Sequence, residues 1–178
     1  ADEAAQAKLA VTLQNVTGAT DAQIAAVENQ ILQTSLLTGI TDDELRPSFE
    51  RLVRATQDSD AALKLQSVAI DVAAGSGKSL EAVTNAMAKA AEGNTASLAK
   101  LGIGLTSAEL KTMSMEEITA KLADTFGGQA AAKADTFAGK MAILKNAFDE
   151  GKETVGSFVL DAFGWWKRWI DQCFQNIH

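Results

Sequence analysis

The stretch DTFAGKMAILKNAFDEGKETVGSFVLDAFGWWKRWIDQCFQNI, residues 135–177, decides how this chain is read. From Phe137, steps of four, three and four residues, repeated, reach Met141, Leu144, Phe148, Lys152, Val155, Val159, Phe163, Trp166, Ile170, Phe174 and Ile177. Only Lys152 is not apolar. A strict heptad from the same start meets Gly151, Gln172 and Asn176 and fits worse. An eleven-residue period corresponds to about 3.67 residues per turn, a straight or slightly right-handed stripe. The pattern predicts one long amphipathic helix of about 65 Å, at about 1.5 Å per residue. A single helix cannot hide such a stripe from water. It has to lie on the rest of the chain, on copies of itself or on a membrane surface.

Outward from this stretch, the composition favours helix. The 178 residues include one proline, Pro47, and no tyrosine, and Ala and Leu are abundant. The length suits one domain with a core and an appendage. The net charge of −7 is concentrated in residues 1–60. No basic patch exists, so specific nucleic-acid binding is not expected. Cys173 is the sole cysteine and excludes an intrachain disulfide. The chain starts without Met and without a signal-peptide pattern, which is read as a fragment or a processed product. No uncharged run is long enough to span a bilayer.

Caps and glycines divide the remainder into short helices. The first is expected over 2–16, stopped by Gly18. Thr20 with Gln23 forms a capping box for a helix to Thr38, and Gly39 ends it. Thr41 with Glu44 is a second capping box. Pro47 lies too deep for an undisturbed helix, so a short turn and then a new helix starting at Pro47 are expected. Asp58 or Ser59 caps a helix through Ala74, and Ser79 caps one to about Glu92. Thr106 with Glu109 and Ser114 with Glu117 predict a one-turn helix and a longer one to Phe126. Gly127-Gly128 is the strongest break. The predicted fold class is all-α: a compact set of short helices over 1–128, then one long amphipathic helix over 129–178.

Motifs for chemistry are few. Gly75-Ser-Gly-Lys-Ser79 has the end of a phosphate-binding loop, but Val72 stands where the first glycine is required and the preceding residues read as helix, not strand. A helix–helix turn is the expectation. Asp42-Asp43-Glu44 sits at a helix start, where the dipole favours acids. His178, the sole histidine, is the last residue, which removes His-dependent catalysis and most zinc schemes. No catalytic, metal or cofactor residues and no cofactor are expected, and the chain is read as not an enzyme. Trp165, Trp166 and Trp169 beside Lys167 and Arg168 are read first as buried in a helix bundle, and second as a membrane-interface or docking segment.

One family resemblance emerges from ITDDELRPSFERLVRAT (40–56), LEAVTNAMAKA (80–90), LGIGL (101–105) with MSMEEI (113–118), FGG (126–128), TFAGKM (136–141) and AFDEGKET (147–154). In this order the pieces resemble a segment of siphophage tail tape measure proteins, especially those of phages of actinobacteria. The resemblance covers roughly residues 32–156; residues 158–178 match no pattern of the family. It implies a helical, multi-copy virion protein in the tail tube lumen or tail tip. Its length would set tube length during assembly, and it would leave the tube ahead of the DNA during genome ejection. The implied partners are copies of itself, three or six, and tail tube and tail-tip proteins. Phe137, Met141, Leu144, Phe148, Val155, Val159, Phe163, Trp166 and Ile170 are the expected helix interface. The alternative is a membrane-active helical module whose Trp-rich end binds or inserts at the host envelope. A stand-alone helical adaptor is the third reading.

Overall fold

Short apolar faces, each bounded by a cap and a stop, build the architecture. A computed structural model describes residues 2–151, and every regular element among the described residues is a helix. In order these are α1 (Asp2–Thr17), α2 (Asp21–Thr38), α3 (Asp42–Thr56), α4 (Ser59–Ser76), α5 (Leu80–Ala91), α6 (Ala96–Lys100), α7 (Ser107–Leu110), α8 (Met115–Phe126), α9 (Gln129–Ala134) and α10 (Phe137–Gly151).

The centre of the core is α3. Leu45, Phe49, Leu52 and Val53 recur at helical spacing and are fully buried. They face α1, α2, α4 and α5, all of which pack on α3. Burial of four such side chains contributes about 1.5–3 kcal/mol each. Leu9 and Leu13 of α1, Ile31 of α2, Leu65 and Ala69 of α4 and Val83 and Met87 of α5 complete this centre. Leu98, Leu110, Ile118 and Leu122 extend it beneath α6–α8. Further along, α8 and α9 pack on α4, and α10 packs on α2 and α9.

Helix α3 runs unbroken through Pro47, contrary to the expected restart at that residue. The reason lies in which face the proline occupies. Pro47 and Asp43 are both exposed, so the carbonyl freed by the missing N–H faces water. The opposite face carries the buried Leu45, Phe49 and Leu52, whose packing holds the helix together. The capping box expected at Thr41 is also absent. Thr41 is the N-cap, with extended backbone, but its side chain makes no cap bond. Its carbonyl accepts from Glu44 N–H at 3.0 Å instead, and Asp42, Asp43 and Glu44 meet the helix dipole. The other three capping boxes, at Thr20, Thr106 and Ser114, are formed.

After Gly128 the chain forms the six-residue α9 and then α10 from Phe137. Asn146 of α10 lies against Ser35 of α2, and Ala142 lies against Gly39. Rising numbers on one helix meet falling numbers on the other, so α10 runs antiparallel to α2. The rest of the expected long helix, 152–178, lies outside the described residues.

Candidate functional site

Residues 75–79 split into three separate structural duties. Gly75 belongs to α4, where an added Cβ would stand 2.8 Å from Cδ1 of Phe126 and 2.9 Å from Cγ of Gln129. It is a close-approach glycine under the α8–α9 junction. Gly77 takes the left-handed conformation (φ 71°) that ends α4, its N–H donating to Ala73 O. Ser79 caps α5 by accepting from Ala82 N–H at 3.2 Å. A helix through Gly75 and Ser76 leaves no row of free N–H groups to wrap a phosphate.

Of the acids at 42–44, Asp42 is drawn into an ion-pair network, while Asp43 and Glu44 are exposed at the start of α3. Arg46, with a side chain only 7 % exposed, donates Nε–H to Glu28 Oε2 at 3.0 Å and pairs through Nη1 with the Asp42 carboxylate. One turn along, Glu50 is equally buried and accepts from Lys8 at 3.1 Å and from Arg54 at 3.3 Å. Arg54 also donates to Thr12 Oγ1. These contacts tie α1 and α2 to α3. Among the described residues no group of three or more His, Cys, Asp or Glu side chains is arranged to hold a metal ion. No described helix is long and apolar enough to cross a membrane.

Buried polar contacts fix the register of the packed helices. Ser48 and Thr84 share a hydrogen bond of 2.8 Å between α3 and α5. Gln66 Nε2 donates to Leu45 O at 2.8 Å. Glu109, in the capping box of α7, has its carboxyl pulled down to about 2. The Thr106 backbone N–H contributes most, followed by the Thr106 hydroxyl and then the Lys121 ammonium.

Of the residues expected to form the helix interface, Met141 is 48 % exposed and Leu144 is half-buried. The side chains of Phe137 and Phe148 are outside the described set, as are Val155, Val159, Phe163, Trp166 and Ile170. Trp165, Lys167, Arg168 and Trp169 also lie outside it. On α10 the buried contact to α2 is made by Asn146, which donates to Ser35 Oγ at 3.4 Å. Sequence reasoning passed over Asn146 because it looks for apolar residues on a buried face.

The feature best suited to binding is a cleft of 850 Å³ among α2, α4, α9 and α10. Leu63 and Ile70 lie on its α4 side, Leu37 and Thr34 on α2, Ala131 on α9 and Ile143 on α10. Leu37 is 70 % exposed, the most open of the large apolar side chains described. The cleft carries both charge signs at its edge, from Lys64, Asp71 and Asp135, and offers shape and apolar surface more than chemistry. The chain matches no protein-family model, no curated protein and no solved structure.

Proposed function

We propose that the chain is a segment of a siphophage tail tape measure protein, a structural and non-enzymatic part of the virion. The observation that carries this reading is the ordered set of seven sequence pieces between residues 40 and 154. The helical architecture is compatible with it: the two longest pieces coincide with α3 and α5. In the particle, the apolar stripe of residues 137–170 joins copies of the segment, three or six around the tail axis. The whole protein is released ahead of the DNA. Antibodies against the chain should label the tails of purified parent particles in electron microscopy. In-frame deletion of its coding region should shorten the tail by roughly 270 Å, about 1.5 Å for each helical residue. Tails of unchanged length, or particles that lack the chain, would refute the assignment.

A second reading is favoured by one observation, the placement of Trp165, Trp166 and Trp169 around Lys167 and Arg168. Bulky amphipathic rings beside cations partition to lipid headgroups. In that role the segment docks at the host envelope during ejection. Co-sedimentation with anionic liposomes, lost on Trp166→Ala with Trp169→Ala, is its expected signature.

A further inference from the structure

The cleft between α2 and α4 has the lining of a helix receptor. Gln30, Thr34 and Leu37 follow one another at four and three residues along α2, and Leu63, Ser67 and Ile70 do the same along α4. Helix α9 packs on both and occupies part of the groove between them, and the open remainder, bordered also by Ile143 of α10, is apolar enough to take large side chains.

We propose that this cleft receives the chain's own segment 155–177, anchored by Phe163, Trp166 and Ile170. These anchors recur at i, i+3 and i+7, the spacing with which an amphipathic helix seats itself in an apolar groove. The chain also reaches. Ile143 lines the cleft, and the end of α10 at Gly151 is only about 12 Å further along its axis. The twelve residues from Gly151 to Phe163 extend to about 40 Å, ample for a return to the groove. A tethered segment within reach meets its site at an effective concentration of about millimolar, above that of any second copy in dilute solution. Docking would cover Leu37 and shelter the aromatic end of the stripe until assembly or a membrane claims it. This contact is independent of the tail assignment and stands whether or not that assignment holds.

The test uses the full chain, because its only tryptophans are Trp165, Trp166 and Trp169 and it has no tyrosine. Tryptophan emission should be blue-shifted, protected from iodide and unchanged on dilution. Leu37→Glu, at a site already open to water, should shift the emission to longer wavelength while the circular dichroism spectrum stays the same. With Cys173→Ser, the thiol introduced by Asn29→Cys, exposed on α2 and outside the cleft lining, can carry a dansyl acceptor. Tryptophan-to-dansyl energy transfer should persist in excess unlabelled chain. Transfer that falls as unlabelled chain is added would place the segment on a second copy and overturn the proposal. So would emission typical of exposed indole in the parent chain, or emission that turns blue only when anionic vesicles are supplied.

Discussion

Asp71 Oδ1, in the middle of α4, accepts a hydrogen bond of 2.9 Å from the backbone N–H of Ala130, fifty-nine residues later. Ala130 is in the first turn of α9, whose own N-cap is Gly128 and has no side chain to offer. A carboxylate from another helix therefore does the capping and adds its charge to the positive end of the dipole. Asp71→Ala should cost about 1 kcal/mol. Asp71→Asn should recover most of this, because the amide oxygen still accepts. Chemical denaturation of the three proteins checks the order, and equal midpoints for parent and Asp71→Ala would remove the cross-cap from the account.

Two helical glycines make the same demand to different degrees. A Cβ on Gly75 would press on the Phe126 ring and the flexible Gln129 side chain. A Cβ on Gly139 would meet backbone, with Ala134 Cα at 2.7 Å. Replacing glycine by alanine within a helix gains about 1 kcal/mol of propensity, and overpacking costs about 1–3 kcal/mol. Gly75→Ala should therefore lose some stability, since the Phe126 ring and Gln129 must both shift, but side chains can shift where backbone cannot. Gly139→Ala should lose stability, since α9 and α10 would have to separate. Thermal melts that rank the two variants the other way would contradict this packing.

Much of the helical punctuation was legible in the sequence. Helix α2 begins after Thr20 and ends at Gly39 as its capping box and glycine require, and α7 and α8 follow the boxes at Thr106 and Ser114. Local chemistry governs those ends, so local reading finds them. Pro47 and Thr41 departed from expectation because tertiary forces decide there: the buried face of α3 outweighs one lost backbone bond, and Asp42 turns to Arg46. The central role of α3 was hidden by its many charges, since Arg46 and Glu50 read as surface residues and are buried through partners on other helices. Of the cleft, Leu37 and Leu63 were visible as apolar residues, but nothing in a linear pattern shows that α9 and α10 leave a space between α2 and α4.

Glu109 ties the stability of α7 to pH. Its folded pKa of about 2 is below the ordinary value of 4.5. The stabilisation is therefore complete above pH 4.5 and is lost as the pH falls from 4.5 towards 2. Glu109→Gln keeps an oxygen acceptor for the Thr106 N–H and removes the charge that attracts Lys121. Over that acid range the parent should lose more stability than the variant, and the two should run parallel above pH 5. A Glu109 carboxyl that titrates near 4.5 by NMR would show that the capping box does not hold it.

Arg46 offers the most severe expected loss. Its guanidinium reaches carboxylates in different directions, among them Glu28 through Nε and Asp42 through Nη1, within the α2–α3 contact. The side chains of Glu28 and Asp42 are themselves only 22 % and 14 % exposed, so water does little to replace the cation. Arg46→Met would leave two enclosed negative charges facing each other, a change that typically costs about 3–5 kcal/mol. That is a large share of the roughly 5–15 kcal/mol that holds a domain folded. Arg46→Lys keeps the charge and loses the fork, so it should fall between parent and Arg46→Met. The companion change Glu28→Leu should restore part of the loss in Arg46→Met, because one of the two carboxylates that lost the cation is then gone and Asp42 no longer faces it. Urea denaturation of the four proteins measures the series. An Arg46→Met variant within about 1 kcal/mol of the parent, the level expected of an exposed pair, would mean that the network is a solvated surface contact and does not join α2 to α3.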